Sequence, residues 1–398
     1  MRKNVLQAER IERVVVRGAN WVGDAVMTVP ALRELRRLLP GAHITLATRA
    51  WAQGIFDSTD FIDDLLVSDR GSNGLRSFFR QRRAWREHRF DLALLFPNAF
   101  EPALVAAAAR VPFRLGYATD GRRPLLTHAF DVPLWRGQRH EVFYYLNLVS
   151  ELERLLKGTS GVEAREPRPE LEVSDERRAE ARELLRAQGV SFDAREGSGV
   201  RPLVALCPGS TNSRAKRWPV EYYAALADRL TEEAGADCLL VGSPEESDVS
   251  AEVSARMSRK PFVLTGQTTL SESVALLSLV DLLITNDTGP AHIAAALNRP
   301  ALVIFGPTNP ITTRPFSPVA EIIRRPPDCA PCMLRDCPID HRCMTAIEPS
   351  EVFARAMQIL AGRGASVRSS GEDSDEVKDE GDAKRAFAIE AAGAEVER

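Results

Sequence analysis

The stretch that decides the fold runs from residue 13 to residue 24 and reads Arg-Val-Val-Val-Arg-Gly-Ala-Asn-Trp-Val-Gly-Asp. Its three valines predict a short buried strand, because β-branched side chains favour strands. Gly18 and Gly23 allow a tight turn, and a helical pattern of apolar residues follows. A strand that passes through such a turn into a helix is typical of α/β domains.

The same alternation continues along both halves of the chain. In the first half, strands are predicted at residues 13–17, 43–49, 64–68 and 91–96, and helices near residues 26–39, 74–89 and 99–110. In the second half, helix-length segments separate predicted strands at residues 203–207, 238–242, 261–265, 281–286 and 301–305. Strands that alternate with helices predict a parallel sheet, so the fold class is α/β with two doubly wound domains.

A segment near the middle of the chain separates the two predicted domains. Residues 157–169 are rich in Gly, Pro and charged side chains, as linkers are. We expect an N-terminal domain over residues 1–165 and a C-terminal domain over residues 166–361, facing each other across a cleft. Residues 371–384 hold seven acidic side chains in fourteen. Because such a segment buries little apolar surface, residues 362–398 are predicted to be a disordered acidic tail.

Charge is distributed unevenly along the 398 residues. The formal net charge is −3, but residues 1–150 hold 22 Lys and Arg against 15 Asp and Glu. Nearly all of these cations are Arg, which suits bidentate contact with phosphate and carboxylate, so an anionic partner is expected for the first half. No lysine- and glycine-rich module of the kind that binds nucleic acid is evident, and no nucleic-acid partner is expected.

Hydropathy predicts a cytoplasmic protein. No apolar run approaches the ~18–20 residues that cross a bilayer. The first ten residues lack the apolar centre of a secretory signal.

Asp24 follows the first predicted strand and its glycine turn, where a helix begins. A carboxylate there either caps the helix, with a contribution of about 0.5–2 kcal/mol, or lies in the cleft as a general base. The loop is not a P-loop, because no Lys-Ser/Thr follows its last glycine. The chain contains no G-x-G-x-x-G, which argues against a dinucleotide-dependent oxidoreductase or an epimerase on a similar fold.

The loop of residues 206–219 combines small polar residues with cations. The predicted strand ends just before Ser210 and Thr211, and Lys216 follows a few residues later. Backbone N–H groups beside a cation predict a diphosphate site. The alternative is a solvated basic loop without a ligand.

The loop of residues 285–292 repeats this geometry. Asp287 and Thr288 lie at the turn, and Gly289 begins a helix whose free N–H groups favour an anion. His292 falls one turn into that helix, where it either reaches the same ligand or packs as a structural side chain. Two such loops in one domain predict a phosphorylated nucleotide as the ligand.

Glu245 and Glu246 follow another predicted strand, at residues 238–242. A carboxylate at the end of such a strand binds both hydroxyls of a ribose in doubly wound folds. The alternative is that it caps the helix predicted after it.

Four of the six cysteines lie close together near the end of the second domain. Cys329, Cys332, Cys337 and Cys343 form the pattern C-x2-C-x4-C-x5-C, with His341 inside it. Thiolates at this spacing either hold zinc or are unliganded thiols, and no metal is assigned. A structural disulfide is not expected in the cytoplasm.

Residues 75–90 carry six Arg and four aromatic side chains. As a helix, this segment places Arg76, Arg80 and Arg83 on one face. It is either a basic amphipathic helix that rests on an anionic membrane surface or an ordinary helix that covers the sheet.

Several spaced motifs together carry a family resemblance. They are Trp21-Val-Gly-Asp24 with Val29-Pro-Ala-Leu32, Ala215-Lys-Arg-Trp-Pro219, Leu264-Thr-Gly-Gln-Thr268, Asn286-Asp-Thr-Gly289-Pro-Ala-His292 and Phe305-Gly-Pro-Thr308. In this order they resemble the bacterial ADP-heptose:lipopolysaccharide heptosyltransferases of glycosyltransferase family 9, and most closely the heptosyltransferase II group. The resemblance covers roughly residues 11–361 and omits the tail.

The resemblance implies a GT-B fold and an inverting, metal-independent glycosyltransferase that requires no cofactor. Its members transfer L-glycero-D-manno-heptose from ADP-heptose to the heptosyl-Kdo2-lipid A inner core of lipopolysaccharide. Asp24 would be the general base and Lys216 the diphosphate-binding lysine. The remaining residues carried over to the donor are Ser210, Thr211, Glu245, Asp287, Thr288, Gly289 and His292. Those carried over to the acceptor are Gly23, Asn98, Arg122 and Arg123.

The sequence departs from the family pattern at two places. Glu101-Pro102 stands where an Arg-Ser pair is expected, close to the acceptor residue Asn98. Pro244 stands where some relatives have an acidic residue, so Glu245 or Glu246 would have to bind the ribose.

Two alternatives to a heptosyltransferase II follow from the same residues. One is a heptosyltransferase I or another family member with a different sugar acceptor. The other is a non-catalytic nucleotide-sugar-binding protein, against which Asp24 and Lys216 argue. The Arg-rich first domain would meet the acidic groups of a lipid-anchored acceptor, with peripheral contact to the inner membrane. Arg76, Arg80, Arg83, Arg114, Arg122 and Arg123 are the residues expected there.

Overall fold

A computed structural model describes residues 6–67, 74–192 and 201–369 of the chain. Residues up to Met357 form one compact unit, and a second unit begins at Gln358. The acidic stretch 371–384, on which the predicted tail rests, lies outside the described residues, as does Ser68 at the end of a predicted strand.

The first sheet consists of six parallel strands, and the strand that comes first in the chain lies near its centre. They are β1 (Arg13–Arg17), β2 (His43–Thr48), β3 (Asp64–Val67), β4 (Leu92–Leu95), β5 (Phe113–Tyr117) and β6 (His128–Phe130), in the order β3-β2-β1-β4-β5-β6. In register, Val14 pairs with Ile44 of β2 and Leu92 of β4. The three valines of β1 are fully buried, as a strand covered on both faces requires.

The second sheet has the same parallel construction. Its strands are β7 (Leu203–Cys207), β8 (Asp237–Leu240), β9 (Phe262–Val263), β10 (Leu282–Asn286), β11 (Ala301–Phe305) and β12 (Ala320–Arg324), in the order β12-β11-β10-β7-β8-β9. The central strands β7 and β10 are buried along their whole length. The predicted pair of doubly wound α/β units is therefore confirmed.

Helices connect these strands and cover both sheets. They are α1 (Val22–Met27), α2 (Val29–Leu38), α3 (Gln53–Phe56), α4 (Gly74–His88), α5 (Phe100–Ala108), α6 (Glu141–Lys157), α7 (Asp175–Ala187), α8 (Val220–Glu233), α9 (Ser247–Arg256), α10 (Leu270–Leu277), α11 (Gly289–Ala296), α12 (Pro310–Thr313), α13 (Arg342–Thr345) and α14 (Pro349–Ser369). Helix α14 thus continues past residue 362, where the acidic tail was predicted to begin.

Two features of the fold differ from the sequence-based expectation. The single helix expected over residues 26–39 is two helices, α1 and α2, because Pro30 has no N–H to continue the ladder. At the junction, the Thr28 hydroxyl donates to the carbonyl of Ala25 over 2.6 Å. Strands β5, β6 and β12 were not predicted, since charged residues and a glycine interrupt their short apolar patterns.

The predicted domain boundary at residue 165 stays a prediction. Helix α6 precedes this boundary and packs against α2, in the half that holds the first sheet. Helix α7 follows the boundary and packs against α10, in the half that holds the second sheet. No helix in the described part of the chain is both long and apolar enough to cross a membrane.

The two sheets are joined by direct helix contacts, of which α3 with α10 is one. Arg177 of α7 reinforces this contact, since its guanidinium donates to the carbonyls of Gly54 (3.2 Å) and Ser271 (2.7 Å). Gly54 has no room for a side chain, because a Cβ there would lie 2.3 Å from the backbone nitrogen of Ser271. The backbones therefore touch where the two halves meet.

We predict that Gly54→Ala destabilises the protein by about 1–3 kcal/mol, because backbone atoms must separate to admit the methyl group. A lower midpoint of urea unfolding would measure this. Gly41→Ala is the matched control, because a Cβ at Gly41 meets no atom within 4 Å. Equal midpoints for the two variants would contradict the packing described for α3 and α10.

Candidate active site

The candidate site lies where α1 and α11 pack against each other, beyond the carboxyl ends of β1 and β10. Glycines make this approach close. A Cβ at Gly23 would lie 2.9 Å from the imidazole of His292, and a Cβ at Gly289 would lie 2.7 Å from Val22. Gly23 therefore brings the first turn of α1 onto α11, which places Asp24 beside the second sheet.

Asp24 is the third residue of α1 and keeps part of its surface open to solvent. Burial raises its pKa to about 6, against the opposing effect of the nearby Lys216 cation. A hydrogen bond from the Tyr145 hydroxyl and the charge of Arg136 also lower this pKa, whereas Asp287 raises it. A carboxylate with this pKa is ionised at neutral pH and is basic enough to accept a proton from a hydroxyl during attack.

Lys216 forms an ion pair with Asp287 at this place. Its Nζ donates to the Asp287 carboxylate over 2.8 Å and to the Asp287 carbonyl over 3.2 Å. The Thr308 hydroxyl donates to the same carboxylate oxygen over 2.7 Å. Since an ammonium group has three protons, Lys216 retains one donor for a ligand while Asp287 holds its position.

Asn286 connects the two loops that sequence reasoning assigned to a phosphorylated nucleotide. Its amide nitrogen donates to the carbonyls of Pro208 (2.9 Å) and Gly209 (3.0 Å). Its amide oxygen accepts from the backbone N–H of Trp218 (3.0 Å) and the hydroxyl of Tyr223 (3.2 Å). In the sequence, Asn286 belongs to a motif, but no separate signal indicates its structural role.

The hydroxyl residues after β7 occupy different environments. Ser210 is buried, and its carbonyl accepts from the guanidinium of Arg217 at 3.1 and 3.3 Å. Thr211 is exposed, and its hydroxyl lies 3.3 Å from that of Ser243. Both residues lie in the loop that also carries Lys216.

Thr288, Gly289 and His292 belong to the N-terminal end of α11. Thr288 is the N-cap residue, and Gly289 begins the helix. His292 is buried, and this burial lowers the pKa of its imidazole to about 4, so the ring is neutral at pH 7. His292 therefore fills the space beside Gly23 and contributes no positive charge to the site.

Glu245 and Glu246, the two carboxylates that could bind a ribose, differ in how deeply they are buried. Glu245 is exposed to solvent, whereas Glu246 is buried and accepts from the backbone N–H of Ser243 over 2.8 Å. A Cβ at Gly209 would lie 2.4 Å from the carboxyl carbon of Glu246. Glu246, and not Glu245, thus faces the loop after β7, and it also takes part in a capping box with Ser243.

The segment of residues 329–343, here called the cysteine segment, packs against the turn Ser213–Lys216. The backbone N–H of Ala215 donates to the carbonyl of Arg335 over 2.9 Å. His341 donates from Nε2 to the carbonyl of Ala215 over 2.6 Å. The segment thus supports the turn that carries Lys216, a role that its cysteine spacing did not signal.

The six cysteines are free thiols, of which Cys343 is one of the buried ones. Within residues 6–67, 74–192 and 201–369, no three or more His, Cys, Asp or Glu side chains are arranged to hold a metal ion.

The predicted acceptor residues do not all reach the surface. Arg122 is fully buried and donates to the carbonyls of Tyr117, Pro97 and Ala99, while its NH2 nitrogen has no hydrogen-bond partner. These bonds shape the loop around Asn98, and the expectation that Arg122 binds the acceptor stays a prediction. Arg123 is exposed and pairs with Asp131.

Arg114 is likewise held by internal carbonyls, those of Leu125 and Val111. Arg114 is half-buried, and the expectation that it meets the acidic groups of an acceptor stays a prediction. Asn98 is half-buried, and its amide oxygen accepts from the Tyr144 hydroxyl over 3.0 Å.

Sequence reasoning missed three side chains beside Asp24. Tyr145 and Arg136 act directly on its carboxylate. Trp21, the N-cap residue of α1, is 56% exposed next to it. Trp21 belongs to the motif that ends at Asp24, but nothing in the sequence distinguishes Arg136 from the other arginines of the first half.

Two Rossmann-like sheets whose halves meet at Asp24 and the Lys216–Asp287 pair have the architecture of the GT-B class of glycosyltransferases. Comparison with known proteins agrees. A sequence profile of glycosyltransferase family 9 (heptosyltransferase) matches residues 78–342. The chain is 31% identical over 320 residues to lipopolysaccharide heptosyltransferase 2 of Salmonella typhimurium, covering 78% of this chain and 88% of that protein.

Solved structures are similar along most of the chain. The E. coli ADP-heptose lipopolysaccharide heptosyltransferase II is 26% identical, with a TM-score of 0.74, over 89% of this chain and 100% of that chain. A family 9 glycosyltransferase from Veillonella parvula, at 24% identity, shares the fold with a TM-score of 0.75, over 90% of this chain and 99% of that chain. The chain belongs to glycosyltransferase family 9, the heptosyltransferases, and is an enzyme.

We predict that catalysis requires ionised Asp24, so kcat/KM falls tenfold per pH unit below about pH 6. Because Lys216 lowers the pKa of Asp24, Lys216→Gln should move this acid limb to higher pH. The residual kcat/KM as a function of pH, or NMR titration of the Asp24 carboxyl carbon, measures the shift. Arg214→Gln should leave the limb in place, since Arg214 is exposed and pairs with Asp336. An unmoved limb in Lys216→Gln would contradict the proximity of the two groups.

Proposed function

We propose that this enzyme transfers L-glycero-D-manno-heptose from ADP-heptose to the heptosyl-Kdo2-lipid A inner core of lipopolysaccharide, the reaction of a heptosyltransferase II. The observation that carries the proposal is the ionised Asp24 on one sheet beside the Lys216–Asp287 pair on the other. The similarity to proteins named heptosyltransferase 2 supports this choice of sugar and acceptor.

Asp24 acts as the general base in a single displacement. The hydroxyl of the acceptor heptose attacks C1 of the donor heptose and gives its proton to the Asp24 carboxylate. The bond between C1 and the diphosphate oxygen breaks, and ADP leaves with the electron pair. Attack from the face opposite the leaving group inverts the configuration at C1, and no covalent enzyme intermediate is required.

Lys216 stabilises the negative charge that grows on the leaving diphosphate. Its remaining proton and the backbone N–H groups at the start of α11 are fixed before the reaction, so they require little reorganisation. Ser210 and Thr211, with Thr288 and Gly289, complete the donor side. The proposed chemistry needs no metal ion and no further cofactor.

Glu246 is the carboxylate that we assign to the ribose of the donor. It is buried against Gly209, beside the loop that would hold the diphosphate, whereas Glu245 is exposed. The residues of the second sheet, within 166–361, thus form the donor side. Those of the first, within 1–165, form the acceptor side, to which we assign Gly23 next to Asp24, Asn98, Arg122 and the exposed Arg123.

The exposed surface of helix α4 supports the proposal that the enzyme contacts the cytoplasmic face of the inner membrane peripherally. Leu75 and Phe79 are 72% and 55% exposed near its start, and Arg86 is exposed nearby. Exposed apolar side chains beside arginines suit the surface of an anionic bilayer, where the lipid-anchored acceptor resides.

We predict that the purified enzyme adds one heptose to heptosyl-Kdo2-lipid A from ADP-heptose in the presence of EDTA, as measured by mass spectrometry. Asp24→Asn should lower kcat by at least the 10²–10⁴-fold typical of a lost general base. ADP binding, measured by calorimetry, should persist in that variant and thereby control for folding.

Other outcomes would overturn parts of the proposal. Transfer only to Kdo2-lipid A without heptose would identify a heptosyltransferase I. Binding of ADP-heptose without transfer to either acceptor would contradict the acceptor assignment. Full activity of Asp24→Asn would exclude Asp24 as the base, and loss of activity in EDTA would contradict metal-independent transfer.

A further inference from the structure

Arg136 is a cation held in a fixed orientation beside the proposed base. It lies in the loop before α6, and its guanidinium carbon is 3.6 Å from the centre of the Tyr144 ring. Its NH2 group is 3.3 Å from the Glu141 carboxylate. An aromatic face on one side and a carboxylate at one edge leave the planar guanidinium little freedom to rotate.

One edge of this guanidinium is unused. The NH1 nitrogen of Arg136 is buried and has no hydrogen-bond partner. A buried donor without a partner costs about 1–3 kcal/mol. Because the Arg136 side chain as a whole is 34% exposed, an oxyanion that approaches it would receive a charge-assisted hydrogen bond from a guanidinium that is already oriented.

The position of Arg136 assigns this free edge to the acceptor. Arg136 is close enough to Asp24 to lower the pKa of that carboxyl, and it belongs to the first sheet's half of the molecule. The donor diphosphate has its own cation in Lys216, which is held by Asp287 on the second sheet's half. A substrate that presents its hydroxyl to Asp24 from the first half would pass next to Arg136.

We propose that Arg136 binds an anionic group of the acceptor, a carboxylate or a phosphate, next to the hydroxyl that Asp24 deprotonates. This inference rests on the proposed function, in which the acceptor is an acidic sugar chain. Tyr144 fixes the plane of the guanidinium, and its hydroxyl bonds to Asn98, so the arginine and the Asn98 loop form one surface. Glu141 balances the charge of Arg136 before the acceptor arrives.

Three variants test the proposal in the transfer assay. Arg136→Ala should raise the acceptor KM on the order of 10- to 100-fold, the effect of losing one charge-assisted hydrogen bond. Arg136→Lys should recover only part of this loss, because an ammonium group lacks the planar pair of donors. The KM for ADP-heptose should stay within about twofold in both variants.

Arg139→Ala is the matched control. Arg139 lies in the same loop, stacks on Phe143 with its guanidinium carbon 3.7 Å from the ring centre, and pairs with Glu163. Its removal deletes the same type of side chain and a similar aromatic contact without touching Asp24. The acceptor KM of this variant should remain near that of the wild type.

Modified acceptors identify the anionic group. The assay is repeated with an acceptor whose Kdo carboxylates are methyl esters and with one whose lipid A phosphates are removed. Whichever modification removes the group bound by Arg136 should raise the wild-type KM and abolish the difference between wild type and Arg136→Ala. The other modification should leave that difference intact.

The possible results separate the two proposals. An unchanged acceptor KM in Arg136→Ala, with wild-type transfer intact, overturns the role of Arg136 and leaves the proposed function standing. If Arg136→Ala raises only the KM for ADP-heptose and weakens ADP binding, Arg136 acts on the donor, and its proposed role at the acceptor is overturned. The role of Arg136 is also overturned if the acceptor KM of wild type and Arg136→Ala still differs with both modified acceptors. Absence of transfer by the wild type overturns the proposed function itself.

Discussion

The contact between the first turns of α1 and α11 is the constraint on which the site depends. It is possible because Gly23 lies against the ring of His292 and Gly289 lies against Val22, with no space for a Cβ at either glycine. A side chain at either position would separate the helices, and with them the two sheets. The distance between Asp24 and the Lys216–Asp287 pair is therefore fixed by backbone packing and not by attraction between charges.

Electrostatics then adjusts the groups that packing has brought together. Burial, with a smaller contribution from Asp287, raises the pKa of Asp24, and Lys216, Tyr145 and Arg136 limit the rise to about 6. A lower pKa would make the carboxylate a weak base, and a higher one would leave it protonated at neutral pH. His292 is neutral, so it fills the space beside Gly23 without lowering the pKa of Asp24 as a cation would. The pKa of Asp24 thus depends on a balance between desolvation and two cations from different halves of the chain.

Periodicity predicted the elements whose side chains are uniformly buried. The bounds expected for β1, β7 and β11 match the structure, because each is a continuous apolar run between two layers of helices. Periodicity did not predict β5, because Arg114 and Gly116 interrupt its apolar pattern. It did not predict β6, because three residues are too few to show a pattern. The predicted loop residues Lys216 and Asp287 do meet, since parallel strands end at one edge. Contacts made by a single arginine, such as those of Arg122 and Arg136, have no periodic signal and could not be predicted.

The two sides of the site are built differently, and this difference bears on recognition. On the proposed donor side, Asn286 joins both loops through three hydrogen bonds and binds Tyr223 of α8 through a fourth, and the cysteine segment supports the turn that carries Lys216. That side is therefore rigid before any ligand binds. On the proposed acceptor side, Arg122 shapes its own loop through bonds to the carbonyls of Tyr117 and Ala99, and its NH2 nitrogen has no partner. In the proposed function, the donor therefore meets a side that is already held in place, whereas the acceptor meets side chains such as Asp24 and Arg136 that keep part of their surface exposed.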